Sequence, residues 1–253
     1  MTSFRSLIYN LLFYTTLFLL MIFGLPMLIG GRRGALFMAR LWALASIWLL
    51  KKICKLHIEY RGVSNIPKGG CIIAAKHQSF LETFALLKYS EDFAVILKQQ
   101  LIFIPLFGLY LMVSRQIAID RSRGRSALNQ IIRQAGAVLR AGRQLYIYPE
   151  GTRRPPGAAP AYKHGVDFLY VSTGAPCLPV ALNTGLYWGR RGFLRRPGTA
   201  IIDYLPVIPP GMDRRSFSQT IQRAIEGACS RLNDEAIATD PSLALEMTKE
   251  RAC

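Results

Sequence analysis

Residues 7–31 contain no charged side chain, so the start of this chain must be buried against protein or lie in lipid. About 23 apolar residues span roughly 35 Å as a helix, enough for the hydrocarbon core of a bilayer. Gly24, Pro26, Gly30 and Gly31 interrupt the run, which suits either one crossing or a re-entrant hairpin. A second apolar stretch, residues 35–50, carries Arg40 in its middle. An arginine at mid-bilayer is costly, and this stretch is expected to lie in the interface or pack on the first. A cleaved signal peptide fits poorly, because only Arg5 precedes the run and Ala43-x-Ala45 falls inside the second stretch. Arg32, Arg33, Arg40, Lys51, Lys52 and Lys55 follow the first stretch. If that stretch crosses once, the bias puts the body of the chain on the cytoplasmic side.

A chain of 253 residues holds one sizeable core plus an appendage. The expected division is a membrane anchor of one or two apolar helices at 1–55, an α/β domain at 56–233, and a weakly ordered tail at 234–253. The 32 basic residues exceed the 15 acidic ones, for a net charge of +17, and an anionic partner follows. Zinc-finger spacing is absent and the basic residues accompany an apolar anchor, so anionic membrane lipids are expected rather than nucleic acid. Cys54, Cys71, Cys177, Cys229 and Cys253 are scattered without a C-x-x-C pair. That pattern argues against metal or disulfide roles and for a reducing compartment.

Beyond the anchor, short β-type runs recur at residues 56–60, 71–75, 93–97, 116–119, 144–148, 178–182 and 200–205. Helical patterns fall between several of them. At 126–141, Leu128, Ile131, Ile132, Ala135, Val138 and Leu139 form one stripe, with Gly142 as C-cap. At 217–232, Ile221, Ala224, Ile225 and Ala228 share a face. The alternation predicts an α/β fold with a mixed, mostly parallel sheet of about seven strands flanked by helices. Residues 101–113 are apolar around Pro105 and Gly108; a buried helix, an acyl-chain wall and a second membrane contact all suit them.

The run Lys76-His77-Gln78-Ser79-Phe80-Leu81-Glu82 leaves the second of these β-type runs. In a continuous helix, five residues rotate roughly 500°, so His77 and Glu82 would not share a face. With His77 in the strand–helix junction and Glu82 in the first helical turn, the carboxylate reaches the ring. It then holds one tautomer and leaves the other nitrogen to take a proton. No protein nucleophile accompanies the pair, so the hydroxyl belongs to a substrate. Ser79-x-x-Glu82 is also a capping box, with the glutamate reaching back to the serine amide.

Two later segments add charge at strand ends. Ile117-Ala118-Ile119-Asp120-Arg121 opens the basic loop Arg121-Ser122-Arg123-Gly124-Arg125. Arginine forks suit a phosphate monoester, with Arg121 the better placed and Arg123 and Arg125 as readily a solvated loop. Leu145-Tyr146-Ile147-Tyr148-Pro149-Glu150-Gly151-Thr152-Arg153 ends a strand and presents carboxylate, hydroxyl and guanidinium together. Ligands collect at such carboxyl ends in open α/β sheets.

With these blocks in order, the chain resembles the glycerolipid acyltransferase family, typified by 1-acylglycerol-3-phosphate acyltransferases. The first block is His77-Gln78-Ser79-Phe80-Leu81-Glu82. The second runs from Lys98 through Pro105 and Gly108 to Ile119-Asp120-Arg121. Tyr148-Pro149-Glu150-Gly151-Thr152-Arg153 and Leu178-Pro179-Val180-Ala181-Leu182-Asn183 complete the set. The resemblance implies acyl transfer to the sn-2 hydroxyl of lysophosphatidic acid, giving phosphatidic acid, with His77 as base and Glu82 behind it. It also implies that Lys98, Arg121, Glu150, Gly151, Thr152 and Arg153 bind the phosphate-bearing acceptor. No cofactor or metal is implied; acyl-CoA or acyl carrier protein is the co-substrate and partner. The implied place is a membrane, the bacterial inner membrane, with the domain facing the cytoplasm. Another lyso-acceptor (lyso-ornithine lipid, lysophospholipid or glycerol 3-phosphate) and a non-catalytic lipid-binding protein are the rival readings. The family usually has aspartate at position 82, and a glutamate commonly follows the lysine where Gln99 and Gln100 stand. His57 in a strand and His164 in a loop are expected to be structural. Arg190, Arg191, Arg195 and Arg196 around Trp188 and Phe193 suit a membrane interface or a solvated turn.

Overall fold

In the computed structural model the described residues are 1–120 and 124–252. Seven strands form one sheet: β1 Leu56–Arg61, β2 Cys71–Ala75, β3 Phe93–Lys98, β4 Ile117–Ile119, β5 Gln144–Ile147, β6 Cys177–Leu182 and β7 Gly198–Tyr204. Their order is β1-β7-β6-β2-β5-β3-β4. All neighbours are parallel except β6 and β7, so β1 and β7 run against the other five. Each β-type run of the sequence is a strand, within two residues at either end.

The centre of the sheet follows from β2. Every residue of Cys71–Ala75 is buried, as expected of a parallel strand covered on both faces. Cys71, Ile73 and Ala75 enter one core with Tyr146, Leu178 and Val180. Ile72 and Ala74, pointing the other way, enter a second core with Leu145 and Ile147. Three helices cover that second face: α5 Gly124–Arg140, α6 Gly165–Thr173 and α7 Arg214–Thr239. Ala135, Val138 and Leu139 of α5 are buried there, as are Phe217, Ile221, Ile225, Ala228 and Leu232 of α7 at helical spacing. Asp213 caps α7 by accepting from the Arg215 and Ser216 amides at 2.9 and 3.0 Å. The sequence suggests weak order after Asp234; α7 instead continues to Thr239, and Ser242–Ala252 forms α8.

The first face carries the N-terminal hairpin. Helix α1, Thr2–Phe23, turns through a 3₁₀ segment at Leu25–Gly30 into α2, Gly31–Leu49, which runs on to Cys54. By length and composition, Thr2–Phe23 and Leu25–Cys54 are each able to cross a membrane. One side of α1 is nonetheless part of the domain. Tyr9 and Phe13, four residues apart, are buried and meet Trp42, Phe84 and Trp188 edge-on or tilted at 5.2–5.8 Å. Ser6 Oγ accepts the Arg195 amide at 2.9 Å, and the Arg195 guanidinium lies 3.9 Å over Trp188. The opposite side of the hairpin leaves Phe4, Leu7, Leu11, Phe18, Phe37 and Trp48 exposed.

The apolar residues 101–113 form a 3₁₀ turn, Gln99–Phe103, and a short helix, α4 Phe107–Val113. Tyr110 donates to the Met21 carbonyl at 3.1 Å, which seats α4 beside the tip of the hairpin. Phe103 and Met112 remain exposed there.

Candidate active site

The parallel strands β2, β3 and β5 and the adjoining β6 end on one edge of the sheet, and His77 lies two residues past β2. The helix after it, α3 Leu81–Ala85, starts at the right distance for Glu82 to turn back. Glu82 Oε1 lies 2.8 Å from His77 Nδ1 and accepts the Gln78 and Ser79 amides at 2.8 and 2.7 Å. Its Oε2 accepts the Thr184 hydroxyl at 2.7 Å. The capping and histidine-holding readings of Glu82 are thus one arrangement: a single oxygen does both. Ser79 Oγ meanwhile accepts the Leu81 amide at 3.1 Å.

Glu82 is fully buried, whereas the His77 side chain retains 15% exposure. A carboxylate on Nδ1 selects the Nδ1–H tautomer and leaves the lone pair on Nε2. The ring stacks on Tyr148, with centroids 4.0 Å apart and planes 21° apart. Burial, with Glu82 nearby, pushes the Tyr148 phenol well above the usual tyrosine range, so it stays neutral. The arrangement can accept a proton from a hydroxyl at Nε2 and stabilise the resulting imidazolium through Glu82.

Backbone contacts fix the loop that carries His77. The Arg154 amide donates to the His77 carbonyl at 2.8 Å, and Gln78 Oε1 accepts the Gly185 amide at 3.1 Å. Gly185 has to be glycine: a Cβ there would come within 2.8 Å of Pro156 and 2.9 Å of Gln78.

The other expected residues fall into groups. Lys98 ends β3, exposed, on the same sheet edge as His77. With β5 between β2 and β3, the two strand ends stand roughly 10 Å apart. Gly151 makes the turn after β5 with φ +67°, a conformation that favours glycine. Thr152 is exposed just beyond it. Arg153 is half-buried and donates one N–H to the Arg190 carbonyl at 2.9 Å, out of five available. Glu150 is enclosed among its partners. It is 2% exposed, lies 3.1 Å from Lys76 Nζ and 3.6 Å from Arg154 Nε, and accepts the Ala161 amide at 3.2 Å. Arg121 and Arg123 lie outside the described residues, as does the side chain of Arg125. His57 is exposed on edge strand β1. His164 precedes α6 and faces Asp167 at 3.3 Å. Neither belongs to this site.

Sequence reasoning missed Thr184 and the stacking role of Tyr148. Thr184 follows the last matched block with no pattern to mark it. Tyr148 did carry a signal, an aromatic side chain at the carboxyl end of a central strand.

A family model described as Acyltransferase matches residues 57–183, which span β1 to the residue before Thr184. A 1-acyl-sn-glycerol-3-phosphate acyltransferase of Pseudomonas aeruginosa is 38% identical over 189 residues, 74% of each chain. The chloroplastic 1-acyl-sn-glycerol-3-phosphate acyltransferase BAT2 of Brassica napus is 28% identical over 200 residues, covering 76% of this chain and 56% of that one. Among solved structures, the 1-acyl-sn-glycerophosphate acyltransferase PlsC of Thermotoga maritima superposes with a TM-score of 0.77 at 22% identity. That match covers 92% of this chain and 98% of the other, and it shows that the fold is shared.

Proposed function

The chain belongs to the acyltransferase family, and on that premise we propose that it acylates the sn-2 hydroxyl of 1-acylglycerol 3-phosphate to give phosphatidic acid. The observation that carries the reading is the His77–Glu82 pair, buried on the Glu82 side and open on the His77 side. The activity in the name of the Pseudomonas relative supplies the acceptor. The donor is a fatty acyl thioester, on CoA or acyl carrier protein; the basic surface suits either anionic carrier.

In the reaction, the acceptor hydroxyl oxygen attacks the thioester carbonyl carbon while His77 Nε2 takes the hydroxyl proton. Glu82 stabilises the imidazolium through Nδ1–H. Collapse of the tetrahedral intermediate breaks the carbon–sulfur bond, and the imidazolium returns the proton to the leaving thiolate. General-base catalysis typically contributes about 10²–10⁴-fold, so the remaining acceleration comes from positioning and from stabilising the oxyanion.

The acceptor phosphate is read as lying between Lys98 and the Gly151-Thr152-Arg153 turn, and Arg121 is proposed as a further phosphate ligand. Glu150 contributes through the cations it holds, since its carboxylate is enclosed. The exposed apolar side of α1 and α2, with Phe103 and Met112 beside it, supports seating in a membrane, and the basic residues after α1 favour a cytoplasmic domain.

The test is to incubate membranes containing wild type or His77→Ala with lysophosphatidic acid and radiolabelled acyl-CoA or acyl carrier protein, then resolve the lipids. Phosphatidic acid from the wild type alone is expected. Product from other lyso-acceptors only would reassign the substrate, and equal product from the variant would remove His77 as the base.

A further inference from the structure

An ion-pair cluster holds the His77 peptide from outside the reacting groups and reaches beyond the segment that the family model matches. Lys76 is 3% exposed. Its ammonium lies 2.7 Å from Glu226 Oε1 on α7 and 3.1 Å from Glu150 Oε2. The Tyr162 hydroxyl donates to the same Glu226 oxygen at 2.9 Å. Glu150 in turn faces Arg154 Nε at 3.6 Å, and the Arg154 amide donates to the His77 carbonyl at 2.8 Å. The contacts therefore run from α7 to both sides of His77: to the side chain of the preceding Lys76 and, through Glu150 and Arg154, to the His77 carbonyl. Two cations and two carboxylates balance.

Ion pairs this buried add little stability compared with apolar residues of the same shape, because desolvation offsets their attraction. They do fix geometry, because each partner has few alternative places to go. Glu226 sits 150 positions from Lys76, so the cluster makes the catalytic loop depend on where α7 lies.

We propose that Lys76 and Glu226 are positioning residues, which set His77 at its working distance from Glu82 and the acceptor. The proposal rests on the reading of His77 as the base. Both side chains act through the His77 backbone.

The test compares Lys76→Met, Glu226→Gln and the double variant with wild type, after circular dichroism shows each folded. The double variant removes both charges together, so it survives where a single one strands a buried charge. Two readouts are taken: kcat and KM for lysophosphatidic acid and acyl-CoA, and the rate at which diethyl pyrocarbonate modifies His77, followed by peptide mass spectrometry. A misplaced base is expected to lower kcat on the order of 10–100-fold, with acceptor KM nearly unchanged and faster His77 modification. Lys76→Arg, which keeps the charge, is expected to recover part of kcat. Wild-type kcat and labelling in the folded double variant would overturn the proposal, and so would a fall in kcat with His77 labelling unaltered. If wild type makes no phosphatidic acid, the acceptor reading fails separately and the labelling rate alone decides the positioning role.

Discussion

The imidazole of His77 and the phenol ring of Tyr148 lie face to face, with centroids 4.0 Å apart and planes 21° apart. Tyr148 is the first residue past β5 and His77 the second past β2, and β2 and β5 are paired in register. That register puts Tyr148 level with Ala75, so the His77 ring, two residues further on, meets it from the loop after β2.

The stack predicts that the ring matters and the hydroxyl does not. Tyr148→Phe should retain kcat, because the aromatic face is preserved. Tyr148→Leu should lower kcat several-fold, because an aromatic face stabilises a cation by about 0.5–2 kcal/mol and holds the ring in plane. Steady-state kinetics of the two variants, side by side, check this; equal kcat in both would assign the ring to packing alone.

Glu82 receives four hydrogen bonds, from His77, Gln78, Ser79 and Thr184. Glu82→Gln should cut kcat by roughly 10²–10⁴-fold while the protein still folds. Thr184→Val removes one donor to a buried carboxylate, at a cost of about 1.5–3 kcal/mol in stability, measured as a shift in the denaturant midpoint. Its kcat should fall far less than that of Glu82→Gln, because the His77 contact is on the other oxygen.

Arg153 and Lys98 stand at the sheet edge with donors for an anion. Arg153→Ala should raise the KM for lysophosphatidic acid about tenfold or more, and Lys98→Ala should do the same to a lesser degree, with kcat changed less in both. Acceptor titrations at saturating acyl donor check this; an unchanged KM would remove the residue from the phosphate site.

On the far edge, Arg61 bonds Glu235 through both guanidinium ends at 2.8 and 2.6 Å. That pair holds the Glu235 carboxyl below its ordinary value of 4.5. A carboxyl depressed on folding contributes stability above its unfolded value and loses it as pH falls through the folded one. The stability difference between wild type and Glu235→Gln should therefore be present near neutrality and shrink below about pH 4.5. Urea midpoints at several pH values check it, and a difference that does not change with pH would break the assignment.

How much of this was readable beforehand depends on how local each feature is. The seven strands are readable because each is a short apolar run between turn residues. The pairing of His77 with Glu82 is readable because its geometry is settled within six residues. The direction of Glu150 is not. It looks outward in a turn sequence, yet its partners Lys76 and Arg154 are set by the packing of β2 against β5. Thr184 and Glu226 carry no local signal at all, because their roles arise only where the end of β6 and the middle of α7 arrive beside the loop after β2. The helical end of the chain also gives little local signal: α8 follows Pro241 with little apolar periodicity, and it packs through Leu243 and Met247.

Phe13 of α1 lies 6.0 Å from Phe80 and 5.7 Å from Phe84, the residues that bracket Glu82. Trimming the first helix would therefore take Phe13 out of the aromatic cluster around Phe80 and Phe84, leaving an open hollow beside Glu82. On the reading of His77 as the base and α1 as a membrane contact, the offset between α1 and His77 sets the depth at which a substrate hydroxyl would meet it.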